Sequence, residues 1–471
     1  MIETKIQSIL SGYQQELAII TDRNEHFYYC DLIEISEKIV SRLTGRSLVF
    51  VFCENSIGSL AGYLAFTFNG HVSLMLNSRQ DTGQVNKLIN CYLPDYLWVK
   101  SSQVHSFTDT KIVFNFKNYV LLSLQKEATH ELHKDLALLL PTSGSTGSPK
   151  YVKLSKNNIL ANAKSIATYL KLDKSQRPIT SLPMYYSFGL SIINSHLISG
   201  STILMTNMSL LQKEFWSFLS EGKATSISGT PYHFEILDRL NLENLNKTNI
   251  SVMTHAGGRM EIDLLKKIAI YCNKYSVKFF SMYGQTEATA RMSFVPPDKL
   301  FEKIGSIGRP IPGGYFELVD NLGRIINSTD KTGELVYKGE NVCLGYALKR
   351  EDLKKGDQNF QKLNTGDLAK SDTDGFYYIV GRKSRFVKIY GNRINLDDIE
   401  KITSNIYGNC ACIGGEDSIV IYALLDNDKD EIRRYVSKKI GINRRAIQVR
   451  LIAEMPRNSN GKISYPELEI I

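Results

Sequence analysis

Residues 138–155, LLLPTSGSTGSPKYVKLS, place small hydroxyl residues, glycines and one lysine directly behind an apolar run. The run predicts a buried strand that empties into a flexible turn. Glycines let successive backbone N–H groups converge on an anion, and Lys150 adds a point charge, so a phosphate suits the loop. A mobile surface turn has the same composition. The spacing is not that of a P-loop, because Gly144 and Gly147 are three apart and Pro149 precedes Lys150. That motif needs a helix beginning at its lysine, so a P-loop kinase or ATPase is disfavoured.

Three further stretches carry chemistry. FFSMYGQTEATARMS sets an aromatic ring, a glycine and a carboxylate (Tyr283, Gly284, Glu287) behind another apolar run. At a strand end these suit stacking a base and holding a metal ion. LNTGDLAKSDTDGFYYIVGRKSRF supplies Asp367 and Arg382, types that accept from and donate to ribose hydroxyls. PRNSNGKISYPEL places Lys462 after a glycine in a polar loop. Each has a plain alternative: Tyr283 as core, Glu287 as an acid at a helix start, Asp367 as a turn former, Lys462 as a solvated tip.

The elements that must position these residues alternate in type. SLVFVFCENS and HVSLMLNS read as buried strands flanking the helix IGSLAGYLAFTFNG. The helix NNILANAKSIATYLKL and the strand STILMTN follow the glycine-rich loop. Such alternation predicts parallel sheets faced by helices, an α/β fold. From about residue 301 the texture turns to short strands and turns. Beyond VGRKSRFVKIYGNRI a small α+β unit is expected, with LDDIEKITSNIY and DEIRRYVSKKI helical and DSIVIYALL a strand. IGGEDSI superficially resembles a carrier protein's serine motif, but has one residue too many and runs into a strand.

Composition narrows the class. A chain of 471 residues with 43% hydrophobic and 22% charged content is a globular protein of two or three domains. No apolar run is long enough to span a bilayer, and the first twenty residues lack a signal-peptide pattern. Seven scattered cysteines without zinc spacing suit reduced thiols, hence a cytoplasmic location. The net charge of +9 favours phosphorylated ligands or an acidic partner and does not point to nucleic acid.

In combination and in this order, the motifs resemble those of the AMP-forming adenylating superfamily: acyl- and aryl-CoA synthetases, firefly-type luciferases and peptide-synthetase adenylation domains. The resemblance covers about residues 47–462. It implies an N-terminal body, residues 1–383, of two βα sheets plus a β-rich subdomain over about 301–383. A small mobile α+β domain, residues 384–471, follows. It further implies that Thr142, Ser143, Gly144, Ser145, Thr146, Gly147 and Lys150 embrace the β- and γ-phosphates of ATP. Ala256, Gly257 and Gly258 of HAGG would lie along the adenine, with Tyr283 stacking on it and Gly284 among the nucleotide contacts. Glu287, after Thr286, matches the Mg²⁺ carboxylate; Asp367 and Arg382 match ribose contacts; Lys462 matches the lysine bridging substrate carboxylate and α-phosphate. The C-terminal domain would rotate about position 384 and bring the stretch around Gly391 to a pantetheine channel.

Several positions depart from the family's usual residues. Ser384 stands where the hinge is often aspartate, which predicts altered rotation kinetics. Tyr186 stands where many acyl-CoA synthetases have histidine. Gly189 stands where amino-acid-activating members carry an aspartate for the ammonium group, which turns the reading away from α-amino acids. Arg291 lies near the expected acyl pocket, and two orientations are open. Outward, it is an ordinary strand arginine; inward, it favours a polar or hydroxylated short acid, because an unpaired buried cation is costly.

The expected reaction is ATP-dependent activation of a small carboxylic acid to acyl-AMP, then transfer to CoA or to the phosphopantetheine of an acyl carrier protein. The basic run KKIGINRRAIQVR could dock either acceptor or simply be a solvated face. Adenylation with a non-thiol acceptor, an amino-acid-activating enzyme and a non-catalytic acyl-AMP binder are the alternatives. An intact Lys462, Glu287 and Asp367 speak against the last.

Overall fold

The computed structural model describes residues 5–124, 131–141, 150–390, 392–415, 417–457 and 463–470. They fall into two compact units. One comprises Met1–Ile304, Gly308–Tyr315 and Lys338–Leu363, and the other Gly305–Ile307, Phe316–Tyr337 and Asn364–Ile471.

The first unit is built on two sheets with parallel cores. In the eight-stranded sheet, Leu48–Cys53 runs parallel to both Val72–Asn77 and Tyr96–Lys100, and Val72–Asn77 runs parallel to Leu136–Pro141. LVFVFC shows no alternation because all six of its residues are buried, as expected of a parallel strand covered on both faces. The helix Ile57–Phe68 is likewise buried throughout, and Ser56 caps it by accepting from the Ser59 amide. Beyond the glycine-rich loop the chain returns antiparallel as Tyr151–Ser155, and Gly345–Ala347 adds the edge strand. The five-stranded sheet has the order Ser226–Gly229, Val252–His255, Lys278–Tyr283, Ser293–Val295, Arg309–Pro310, with the first three parallel. A third, three-stranded sheet joins Ile203–Met205, Leu17–Thr21 and His26–Tyr28, which the expected pair of sheets did not include.

In the second unit, Tyr315–Val319, Gly333–Lys338, Lys362–Ser371 and Tyr377–Arg382 form one four-stranded sheet. These strands pair among themselves rather than with any of the three sheets described above. A ribbon of Phe386–Ile389 and Asn392–Asn395 follows. The C-terminal core packs Ile399, Ile421, Ile432, Val436 and Val449 between the helices Leu396–Tyr407 and Lys429–Ile440 and a three-stranded sheet. Of the segment resembling a carrier motif, residues 413–415 and 418–419 lie in two antiparallel strands of that sheet, and Glu416 lies outside the described residues. Among the described residues, no helix is long and apolar enough to cross a membrane.

Candidate active site

The parallel strands of the five-stranded sheet end in register, with Gly229 beside His255 and His255 beside Ser281. HAGG and YGQTE therefore emerge side by side at the carboxyl end of the sheet, where α/β sheets bind ligands. Gly257 has φ +87°, and a Cβ there would lie 2.5 Å from Tyr186 Oη, so any larger residue is refused twice. Tyr186 is half-buried, and burial pushes its pKa up to about 12, so it is a neutral hydroxyl. His255 packs its ring against those of Phe234 and Phe279. Burial lowers its pKa to about 4, and neither ring nitrogen has a hydrogen-bond partner among the described residues.

From Tyr283 the chain makes a tight reversal. Thr286–Ala288 form a 3₁₀ turn, and Thr289 (φ 59°) and Ala290 (φ 111°) then take left-handed backbone angles. Strain of that kind costs on the order of 1–3 kcal/mol per residue and persists only where the surroundings enforce it. Here they do. Thr289 Oγ1 donates to the Asn341 carbonyl (2.7 Å), and Asn341 Nδ2 donates to the carbonyls of Ala288 (2.8 Å) and Arg291 (3.2 Å). Asn162 Nδ2 donates to the Arg291 carbonyl as well (2.8 Å). Gly284 lies under the reversal, where a Cβ would sit 1.5 Å from the Ala290 oxygen.

Within this turn Glu287 is half-buried, and its Oε1 accepts the hydroxyl of Tyr346 at 2.9 Å. Lys150, just beyond the glycine-rich loop, holds its ammonium 3.3 Å from the centroid of the same Tyr346 ring. Tyr346 thus touches both the lysine of the phosphate motif and the carboxylate of the metal motif. Burial, then Glu287, raise its pKa, which keeps the phenol a donor. Among the described residues no group of three or more His, Cys, Asp or Glu could cage a metal. A single hard carboxylate nevertheless fits Mg²⁺, which keeps waters and takes phosphate oxygens for its other ligands. Glu287 would hold the ion, whose charge would offset that of the phosphates.

The helix Ser187–Leu197 flanks the turn. Ser187 Oγ lies 3.1 Å from Thr286 Oγ1, and one turn further Ser191 Oγ accepts from Arg291 Nε at 3.1 Å. Arg291 points inward and is 1% exposed. Gly189 is not an open pocket position: a Cβ there would sit 2.3 Å from the Pro183 carbonyl oxygen, so the helix needs glycine to pack on that backbone.

In the second unit, Asp367 and Arg382 face each other across neighbouring strands, and Arg382 Nε donates to Asp367 Oδ1 at 2.9 Å. Asp367 is buried and Arg382 exposed. Ser384 lies in the 3₁₀ turn Lys383–Arg385. Thr142, Ser143, Gly144, Ser145, Thr146, Gly147, Gly391 and Lys462 lie outside the described residues.

Sequence reasoning missed Tyr346, a tyrosine in an ordinary edge strand, and the asparagine collar of Asn162 and Asn341. Asn158 was also missed. Its Oδ1 accepts from the Ser155 amide as a helix cap, while its Nδ2 donates to the Glu340 and Val342 carbonyls and so positions the chain leading to Tyr346. A helix start reading S-x-x-N was the one available signal.

A family profile described as AMP-binding enzyme matches residues 11–347. The chain belongs to the AMP-binding enzyme family. Among AMP-binding relatives, a 2-succinylbenzoate–CoA ligase of Oceanobacillus iheyensis is 24% identical over 414 residues, covering 85% of this chain and 84% of the relative. An oxalate–CoA ligase of Arabidopsis thaliana is 26% identical over 352 residues, covering 70% and 66%. The fold matches that of an O-succinylbenzoate coenzyme A synthetase from Bacillus subtilis in complex with AMP, with TM-score 0.79, 20% identity and coverage of 99% and 98%.

Proposed function

We propose that this AMP-binding enzyme is an acid–CoA ligase for a small carboxylic acid, working with ATP and Mg²⁺. In the first half-reaction a carboxylate oxygen bonds to the α-phosphorus of ATP, and the bond to pyrophosphate breaks. In the second, the CoA thiol attacks the acyl carbonyl, loses its proton and releases AMP. The observation that carries the reading is the joined set Lys150–Tyr346–Glu287 beside the Tyr283–Thr286 turn. It brings a cation and a metal carboxylate onto one ring, next in the chain to the Tyr283 stacking ring, and positioning plus charge stabilisation dominate such chemistry.

The individual assignments are part of the proposal. Thr142, Ser143, Gly144, Ser145, Thr146, Gly147 and Lys150 hold the leaving phosphates. Ala256, Gly257, Gly258, Tyr283 and Gly284 receive the adenine, and Asp367 and Arg382 serve the ribose hydroxyls. Lys462 bridges the two reacting anions. The pivot falls at Lys383–Ser384, because the next residue, Arg385, is tied to Asp397, Glu400 and the Cys412 carbonyl. Gly391 belongs to the thiol channel.

The acids named for the relatives, succinylbenzoate and oxalate, are small and carry two carboxylates, which makes polar short acids the first to test. CoA is preferred to an acyl carrier protein because both named relatives are CoA ligases. A cytoplasmic location fits these soluble substrates. Incubating the protein with ATP, Mg²⁺, CoA and a panel of acids should yield an acyl-CoA thioester and AMP in equal amounts. AMP without thioester would leave the adenylation half and move the acceptor to a carrier thiol. ADP as product would refute the reading.

A further inference from the structure

Among the described residues of the first unit, three lysine or arginine side chains are buried, and two are met by backbone oxygens. Lys153 Nζ donates to the carbonyls of Asp352 and Lys355, and Arg350 Nη1 to those of Tyr92 and Leu93, with Asp95 3.9 Å from Nη2. Arg291 differs. Its Nε donates to Ser191 Oγ (3.1 Å), and its Nη1 to Tyr169 Oη (3.1 Å) and Met282 Sδ (3.5 Å). The Phe188 ring lies 5.1 Å away. No carboxylate among the described residues pairs with it. A guanidinium held by neutral groups away from water is costly unless an anion joins it.

The surroundings keep that cost in place. The strained turn and the hydrogen bonds of Asn162 and Asn341 to its carbonyl fix the main chain at Arg291. Tyr169, Met282 and Phe188 wall the guanidinium with low-polarity surface, where an ion pair gains most. His196 adds no second charge, because burial holds its pKa near 4. The helix gives a scale. Ser187 meets Thr286 and Ser191 meets Arg291, four residues apart, about 6 Å along the axis.

We infer that Arg291 receives a second anionic group of the substrate, so that the acid is a short one bearing two anions, a dicarboxylate or a sulfonated carboxylate. This rests on the reading of Thr286 and Glu287 as the reacting end. The second anion then sits about one helical turn from the reacting carboxylate, which fits a spacer of roughly two to four carbons.

The test compares acid-dependent pyrophosphate release for acids matched in length: butanoate with butanedioate, pentanoate with pentanedioate, and 3-hydroxybutanoate as the neutral polar control. The diacid should exceed its monoacid partner in kcat/KM by at least about 100-fold, since a site built for a polar group rejects analogues lacking it. Arg291→Met should collapse that ratio to about threefold or less, and Arg291→Lys should keep part of it. Should the methionine variant not fold, the wild-type ratio and the lysine variant decide. A wild-type enzyme using butanoate or 3-hydroxybutanoate as well as the diacid would overturn the inference and leave the ligase reading standing. Release with no acid, while ATP still binds, would overturn the ligase reading and this inference together.

Discussion

Arg291 in the first unit and Arg385 in the second are both withdrawn from water, and the chain surrounds them differently. Arg385 donates to Asp397 Oδ1 at 2.8 Å, to Glu400 and to the Cys412 carbonyl, with the Tyr465 ring 4.5 Å from its centre. Burial alone would pull its pKa down, but Glu400, Tyr465 and Asp397 outweigh that and hold it above the ordinary value. Among the described residues, Arg291 has hydroxyls, a thioether and a ring, and no acid. One arginine is closed by the chain's own carboxylates and holds the C-terminal elements together. The other lacks such a carboxylate among the described residues, which is the basis for inferring an anion from outside. A buried cation is therefore informative through its partners, not through its burial.

Removing each cation should give opposite outcomes. Arg385→Met strips a charge from a buried carboxylate, and the C-terminal residues should lose about 3–5 kcal/mol in urea unfolding. Burial already raises the pKa of Glu400 while Arg385 lowers it, so the variant's carboxyl titrates higher still. A carboxyl whose folded pKa exceeds its unfolded one favours folding when protonated, and that contribution disappears as pH rises through the folded pKa. The variant's deficit should therefore shrink on acidification toward the carboxylate range. A deficit independent of pH would argue that packing, not charge, is what Arg385 supplies.

The first unit should respond to acid in the other direction. His255 and His196 have folded pKa values near 4, lowered first by burial. Each contributes stability that is complete above the unfolded pKa of about 6.5 and lost as pH falls toward 4, worth up to about 3 kcal/mol per imidazole. His255→Phe should flatten the decline in melting temperature between pH 7 and 5. An unchanged slope would remove His255 from the account.

Tyr346→Phe keeps the ring under Lys150 and deletes the hydrogen bond to Glu287, so it separates the two contacts. It should raise the Mg²⁺ concentration for half-maximal ATP binding in calorimetry by about tenfold, near 1.4 kcal/mol, with the melting temperature little changed. A lower melting temperature without any Mg²⁺ shift would make Tyr346 structural only. Smallest of all should be the stability effect of Arg291→Met, within about 1.5 kcal/mol of wild type, because an apolar side chain relieves the uncompensated charge while the hydrogen bonds to Ser191, Tyr169 and Met282 are lost.

The parts of this fold that periodicity controls were legible in the sequence. LVFVFC, the helix beginning at Ile57 and the helices of the C-terminal core follow from apolar patterning alone. The order of chemical motifs also carried the family. Pairing between distant segments was not legible: the edge strand that puts Tyr346 on Glu287 joins residues 59 apart, and no local signal marks it. Nor did the sequence settle the orientation of Arg291, because a left-handed alanine at 290 reverses the chain just before it. By its place in a motif Gly189 reads as an emptied ammonium site, whereas the Pro183 carbonyl leaves no room for a Cβ there.

The most direct test of the central claim is ATP–pyrophosphate exchange by the whole chain in the presence of a short dicarboxylic acid, with Lys462→Ala as the control. Exchange that requires the acid and Mg²⁺ and falls by more than about 100-fold in the variant is the predicted result. Exchange that proceeds equally without acid, or survives the loss of Lys462 unchanged, would contradict acid adenylation as this protein's reaction.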